Sequence, residues 1–293
     1  MLTFQSIPLG VRYILISALG FALMSACVKY TSNSGIPLFE IVAARALVSC
    51  VISFIDIKRK RIGVWGHNKT LLFLRGAIGS LALMCVYYAL TTLPLAVAVL
   101  LQYTYPIFTA LLAYAFLREK CSRTTCACIA ISLLGLMVIF VPNAQTNHPG
   151  ALDHLAIIIA LFGALGSATA YVIVRRLSQT EDSSVIIFYF PFIALPLSVF
   201  LMIASGFVMP SLSQMGMLIL VGIFTQVGQW GLTKAMQTES AAQASAYGYV
   251  QIIFTLVLGM VFFNEMPQSE VWLGGGLIIA AALVNATQKR AVK

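Results

Sequence analysis

Residues 103–119 read YTYPIFTALLAYAFLRE, and residues 249–265 read YVQIIFTLVLGMVFFNE. Both open on tyrosine, share an Ile-Phe-Thr core and close on glutamate, and they stand 146 positions apart. The same offset works elsewhere without a gap. LISALGFA (15–22) falls on LFGALGSA (161–168), where Leu15, Ala18, Leu19, Gly20 and Ala22 meet identical residues. Leu72, Leu74, Gly76, Ala89 and Thr92 also meet identical residues at that spacing, and Lys29 falls on Arg175. Shared apolar composition does not produce one constant offset over three stretches, so the chain reads as an internal duplication.

Of the 293 residues 60% are hydrophobic and only 9% charged, against about 25% charged in ordinary soluble domains. That deficit points to an integral membrane protein. A helix needs about 20 apolar residues to cross the hydrocarbon, and unpaired backbone in lipid restricts spanning structure to helices or closed barrels. The runs are solid rather than alternating, which excludes barrel strands. The spacing predicts spans over 11–30, 37–56, 71–92, 95–117, 124–142, 152–174, 184–205, 214–235, 241–263 and 270–287. Turn formers separate them at Asn33-Ser34-Gly35, Pro94, Pro142-Asn143, Pro210 and Pro267. The first run, with Arg12 ahead of it, has no A-x-A-like cleavage site and nine further spans behind it, so it reads as a span and not a signal peptide. The expected fold class is all-α integral membrane, with ten transmembrane helices in two five-helix repeats, 11–142 and 152–287.

The net charge of +9 is arranged for a membrane rather than for nucleic acid, because no basic stripe interleaved with aromatics occurs. With the N-terminus inside, Arg12, Lys58, Arg59, Lys60, Arg61, Lys69, Arg75, Arg118, Lys120, Arg123, Arg175, Arg176, Lys234, Lys289, Arg290 and Lys293 all fall on the cytoplasmic side. Only Lys29 falls near the outer face, and Arg45 falls within a span. This asymmetry predicts cytoplasmic termini. Five helices per repeat is an odd number, so the second repeat enters from the opposite face. Inverted repeats are a construction of secondary transporters, in which two copies of one unit exchange conformations around a site at their interface. The six cysteines read as small apolar residues of the spans, with Cys126 and Cys128 on different sides of one helix. The three histidines (His67, His148, His154) have no metal-ligand spacing.

The segment AVAVLLQYTYPIFTALLAYAFLREK (96–120) resembles the signature fourth helix of the EamA-type drug/metabolite transporters, and AAQASAYGYVQIIFTLVLGMVFFNE (241–265) resembles the matching ninth. FEIVAARAL (39–47) and AYVIVRRLSQTE (170–181) fit the same family. The resemblance covers both repeats. It departs at Ile252, which stands where the first copy has Pro106, and at Arg118 and Asn264, where glycine is common before the glutamate. It implies ten helices, a central cavity and transport of amino acids, nucleoside-like compounds or other small metabolites, often outward.

Arg45 is the sharpest candidate for a binding residue. It lies about 12 Å down its span from the outer side at 1.5 Å per residue, and an ionisable residue at that depth faces a bundle interior or cavity. It reads either as an anchor for a substrate carboxylate or phosphate or as a structural arginine bonded to helix carbonyls or Glu40. Tyr103 and Tyr249 are repeat counterparts near mid-helix, flanked by Gln102, Tyr247 and Gln251. Gln226, Gln229 and Trp230 share one helix face and suit a polar or aromatic metabolite, or interhelical hydrogen bonding. Tyr88, with Ser80, Met84 and Tyr87, is a weaker cavity candidate. Pro106 is a candidate hinge, as are Pro191 and Pro196. Glu40 and Lys29 form a candidate extracellular latch, with simple interfacial placement as the alternative. Glu119 and Glu265 read as caps on the helices that follow them.

The leading expectation is a secondary transporter for a small polar metabolite, an exporter in the cell (inner) membrane. An uptake or exchange carrier of the same fold and a non-transporting receptor or scaffold are the alternatives. No Walker A sequence occurs, which argues against ATP drive, and no His/Asp/Glu cluster lies within the spans to make an enzyme. No cofactor, metal or nucleic acid is expected. The partners are the solute and the lipid bilayer, with proton antiport, a counter-substrate, facilitated diffusion, a monomer and a homodimer all compatible.

Overall fold

The computed structural model describes residues 8–93, 95–147, 154–263 and 269–288, and among these the regular secondary structure is helical throughout. Pro94, His148, Asn264, Glu265, Pro267, Lys289, Arg290 and Lys293 lie outside the described residues. The helices are α1 (Leu9–Asn33), α2 (Leu38–Arg59), α3 (Lys69–Thr92), α4 (Leu95–Gln102), α5 (Tyr105–Leu112, continued by a π turn over Ala113–Leu117) and α6 (Arg123–Asn147). The second half holds α7 (His154–Leu177), α8 (Ser183–Ser205), α9 (Leu212–Thr238), α10 (Ala241–Tyr247), α11 (Val250–Phe263) and α12 (Ser269–Gln288). Seven segments among the described residues are long and apolar enough to cross a membrane: α1, α2, Lys69–Ala89 of α3, α7, Ser183–Ala204 of α8, α9 and the α10–α11 unit, Ala241–Phe263. Tyr105–Leu117, Arg123–Val138 and Trp272–Ala281 are shorter apolar helical stretches.

Local chemistry sets the helix boundaries. Asn68 caps α3 by accepting the Leu71 N–H, Asp182 caps α8 through Ser184, and Ser211 with Gln214 closes a reciprocal capping box on α9. Gly206 ends α8 at φ +96°, a conformation glycine adopts without a Cβ penalty. Pro142 lies inside α6, which runs on to Asn147, so the expected Pro142-Asn143 turn gives way to a longer helix. A proline near a helix end removes few bonds.

The span expected over 95–117 is broken at 103–104, and the span over 241–263 is broken at 248–249. At the 146-residue offset the two breaks overlap at Tyr103 and Tyr249 and differ by one residue at their ends. Pro106 therefore opens α5, in its first turn, rather than kinking a continuous helix. The second break forms without a proline, beside Gly248, where a Cβ would collide with the Tyr105 hydroxyl.

Helix packing is reciprocal between the halves. α1 lies on α9 and α7 on α3; α11 lies on α1 and α5 on α7; α9 lies on α2 and α3 on α8. α2 packs on α8 and α6 on α12, each helix against its own counterpart. The correspondence reaches individual residues. A Cβ on Gly20 would stand 2.8 Å from the Gly228 nitrogen, and one on Gly166 would stand 2.9 Å from the Cβ of Ala82. Gly166 is the counterpart of Gly20, and Ala82 that of Gly228. The Cys128 thiol donates to the Ala281 carbonyl at 3.1 Å. Their counterparts, Gly274 and Gly135, touch as closely, with the Gly274 carbonyl 2.6 Å from a Cβ on Gly135. Small residues at these crossings let the backbones approach, which is how membrane helices gain packing energy without a hydrophobic drive.

The largest core cluster, with Ile57, Leu72, Val174, Leu177, Ile186 and Met236 fully buried, closes one end of the bundle. Polar staples lie over the same end. Lys60 reaches Asp182 at 3.0 Å, and Glu181 accepts the His67 and Asn68 N–H groups at 2.7 Å. Glu119 binds Arg175 there as well. At the other end Gln214 donates to the Ser34 carbonyl, and Glu40 accepts the Val208 N–H.

Candidate functional site

Arg45 is carried into the bundle by α2 and is buried, 6% exposed. One guanidinium nitrogen lies 3.4 Å from the Tyr87 hydroxyl, and the group stands over the Phe190 ring, 5.9 Å from its centre. A second arginine meets the same ring. Arg75 of α3 is 4% exposed, stands 4.7 Å from the centre of Phe190 and donates to the Gln229 side-chain oxygen at 3.2 Å. Its Nε has no hydrogen-bond partner. The guanidinium lies along its own helix because residue 79 is glycine: a Cβ there would be 2.8 Å from Arg75 Nη1.

α9 brings Gln226 and Gln229 to this place, one turn apart. The Gln226 amide nitrogen donates to Ser53 at 2.8 Å, while its oxygen is buried without a partner. α8 contributes Ile187, Phe190, Pro191 and Ala194. Pro191 lacks an N–H, which deprives the Ile187 carbonyl of its helical donor. Between α2, α8 and α9 a small gap remains, lined by Arg45, Ser49, Phe190, Thr225, Gln226 and Gln229 among others. Its size is of the order of one water molecule.

The structure thus brings Arg45, Gln226 and Gln229 together. Trp230 leaves this group: it is 36% exposed and meets Tyr13 edge-on at 5.3 Å. Tyr88 is 40% exposed on the bundle surface, and its neighbour Tyr87 is the one that reaches Arg45. Tyr103 and Tyr249 form a separate centre. Their rings stack at 5.8 Å, and the Tyr249 hydroxyl donates to the Tyr103 carbonyl at 2.9 Å. Two counterparts in direct contact lie where a two-fold axis relating the halves would pass. A second small gap next to them is lined by Ser17, Tyr105, Tyr171, Gly248 and Gln251.

The remaining candidates resolve differently. Glu40 is buried, with one oxygen on the Val208 N–H and the other without a partner, while Lys29 stands over the Phe263 ring at 4.7 Å. The two do not form the expected latch. Glu119 is a cap, though of a distant helix. One oxygen binds Arg175 Nε at 2.7 Å and the other accepts the Ala241 N–H at the start of α10 at 2.9 Å. Of the cysteines, Cys128 is buried and Cys126 exposed, on different sides of α6. Cys126 lies 2.9 Å, sulfur to sulfur, from Cys121 rather than in the bundle.

Sequence reasoning missed Arg75, Phe190, Ser49 and Thr225. Arg75 passed as one of the basic residues flanking a loop. The available signal was depth, because it lies six residues inside α3, about 9 Å from the helix start at 1.5 Å per residue. Phe190 carried no signal, being one aromatic in an apolar run.

Comparison with known proteins agrees with this architecture. Relatives include the pseudopaline exporter CntI of Pseudomonas aeruginosa, 29% identical over 282 residues that cover 96% of this chain and 97% of the relative. Human solute carrier family 35 member G1 is 29% identical over 303 residues, covering 96% and 80%. A solved crystal structure with 17% identity superposes with a TM-score of 0.80 over 95% of this chain and 98% of its own, which shows a shared fold. The EamA-like transporter family matches twice, at residues 8–141 and again at 154–287. With each half matched separately and the two halves packed reciprocally, the chain belongs to the EamA-like transporter family and is a multi-pass membrane protein built to move a small molecule.

Proposed function

We propose that this chain is a secondary transporter that moves a small polar metabolite out of the cell by alternating access. It has ten membrane-spanning segments in two inverted repeats, residues 11–142 and 152–287. In this reading α4 with α5, and α10 with α11, each form one broken span. Both termini are cytoplasmic, in the cell (inner) membrane. The solute binds beside Arg45, Gln226 and Gln229, and the Tyr103–Tyr249 contact is the pivot between the halves. The observation that carries the proposal is the reciprocal packing. When the principal helix contacts of one half have their counterparts in the other, exchanging the conformations of the halves yields a second state of comparable energy, open to the opposite face. The basic loops support the orientation, and the exporter among the relatives supports the direction.

The salt-bridged, apolar-cored end is the cytoplasmic one in this orientation, so the conformation is closed to the cytoplasm. The test has two parts. Single cysteines at Tyr30 and Arg176 should react with a membrane-impermeant maleimide from opposite faces. Proteoliposomes containing the purified chain should release a preloaded metabolite mixture faster than empty liposomes. Labelling of both cysteines from one face would rule out the inverted topology, and equal release would rule out transport.

A further inference from the structure

We propose that the solute carries two anionic groups, one held by Arg45 and the other by Arg75. This deepens the transport reading and rests on it. The two guanidiniums share the Phe190 ring, at 5.9 and 4.7 Å from its centre, and are 6% and 4% exposed. Among the described residues neither has a carboxylate within salt-bridge distance. An unpaired charge in the membrane interior is costly, and two on one ring are costlier. A bound dianion repays that cost by bringing the missing charges.

The polar groups around the arginines fit the same assignment. Arg75 Nε is buried without a partner, and one of its other nitrogens is occupied only by the neutral oxygen of Gln229. Gln229 also lines the gap. It therefore acts as a placeholder: when its amide swings aside, a carboxylate replaces it with a charge-assisted, two-pronged bond. Arg45 lines the gap directly. Among the described residues no acidic side chain lines it, so the ammonium of a free amino acid would find no counter-charge from them. The ligand class is a short dicarboxylate, or a carboxylate with a phosphate, whose neutral portion meets Ser49, Thr225 and the Gln226 amide.

Gly79 belongs to the same device, since it leaves room for the Arg75 guanidinium against α3. The Cβ of a Gly79→Ala variant would stand 2.8 Å from the flexible end of Arg75 and 3.1 and 3.3 Å from two carbons of the Phe190 ring. The change therefore displaces the cation and presses on the ring that both arginines share.

The experiment uses the purified full chain in detergent, with thermal stabilisation and calorimetric titration by succinate, glutarate and citrate. Butyrate, alanine and succinamide serve as controls. Succinate or glutarate should bind at least tenfold tighter than butyrate. Arg75→Gln and Gly79→Ala should each reduce that preference to about twofold while the protein stays monodisperse. Gln229→Glu, which supplies a resident carboxylate to Arg75, should weaken dicarboxylate binding at least tenfold. Dicarboxylates that bind no tighter than butyrate, or a preference that survives Arg75→Gln, would overturn the assignment. If Arg75→Gln fails to fold, the wild-type charge preference and Gly79→Ala still decide. Binding of alanine or succinamide instead, lost in Gln226→Ala, overturns the dianion while the transport reading stands. Failure of proteoliposomes to move any bound solute would remove the transport reading itself.

Discussion

Replacing Glu119 with glutamine should unlock the salt-bridged end of the bundle, the cytoplasmic one in the proposed orientation. Its two oxygens join three helix ends, binding Arg175 of α7 at 2.7 Å and the first N–H of α10 at 2.9 Å from a position just after the π turn. Arg175 in turn donates to the Met236 carbonyl of α9 at 2.6 Å. Glutamine has one acceptor oxygen, so it can satisfy Arg175 or the Ala241 N–H but not both, and the charge is lost. Removing one partner of a fully buried ion pair costs about 3–5 kcal/mol. Both side chains here are 19% exposed, and solvent screening brings the figure to roughly 2 kcal/mol. In the proposed cycle this contact breaks when the end opens, so its loss shifts the closed-to-open equilibrium by about 30-fold at 1.4 kcal/mol per decade. The assay is maleimide labelling of Ala244→Cys, a fully buried position on α10, in inside-out vesicles. The partly exposed Cys121 and Cys126 are replaced by serine. Glu119→Gln should raise the labelling rate at least tenfold without changing it in right-side-out vesicles. A rate within twofold of the parent would refute the idea that this ion pair holds the end shut.

Gly20→Ala should lower the thermal midpoint by several degrees, because its Cβ would press on the Gly228 backbone, which cannot rotate away. Overpacking of this kind costs about 1–3 kcal/mol, and an unchanged midpoint would contradict the close α1–α9 crossing. Tyr249→Phe keeps the stacked ring but loses the bond to the Tyr103 carbonyl. It should cost about 1 kcal/mol with transport retained, and abolished transport would assign that hydroxyl a direct role. Asp182 and Lys60 predict a pH profile. Burial works to raise the Asp182 carboxyl, but the Ser184 N–H and Lys60 outweigh it and hold the group below its ordinary 3.8. Burial works to lower the Lys60 ammonium, but Asp56 and Asp182 hold it above its ordinary 10.5. A lowered carboxyl stabilises the fold above its ordinary pKa and loses that effect as pH falls. A raised ammonium stabilises below its ordinary pKa and loses the effect as pH rises. The pair's contribution is therefore flat from about pH 5 to 9, and Asp182→Asn should remove part of the acid-side decline in thermal midpoint.

Seven of the span positions and the repeat were legible in the sequence because lipid leaves the backbone few options and because small residues at the crossings were kept in both copies. Gly20 and Gly166 recur at one offset, and the structure places each in the equivalent helix crossing. The break in the second copy was less legible. Pro106 marks the first break, whereas Gly248 and a buried tyrosine accompany the second. Ion-pair partners were not legible, because a contact such as Glu119 with Arg175 spans 56 positions and depends on how the halves dock. Helical periodicity placed Gln226, Gln229 and Trp230 on one face. In a bundle, however, one face touches several neighbours, and Trp230 turned to Tyr13, Gln229 to Arg75 and Gln226 to Ser53.

The chemistry does not follow the symmetry of the scaffold. At the 146-residue offset the counterpart of Arg45 is Pro191 and that of Arg75 is Val221. Ser80 and Leu83 stand where the second half has Gln226 and Gln229. Both cations are thus on the first repeat and both amides on the second. In the proposed alternating-access cycle, a solute held between them contacts two unlike walls, so the outward-open and inward-open states would be near-equal in backbone packing but unequal in electrostatics. The one-sided charge would then decide which state the empty carrier prefers and which the loaded carrier prefers. A ligand shifts such an equilibrium only by its differential affinity for the two states. In that cycle the placement of both arginines on one repeat makes the affinity for an anion differ between the two states, so that binding itself biases the exchange.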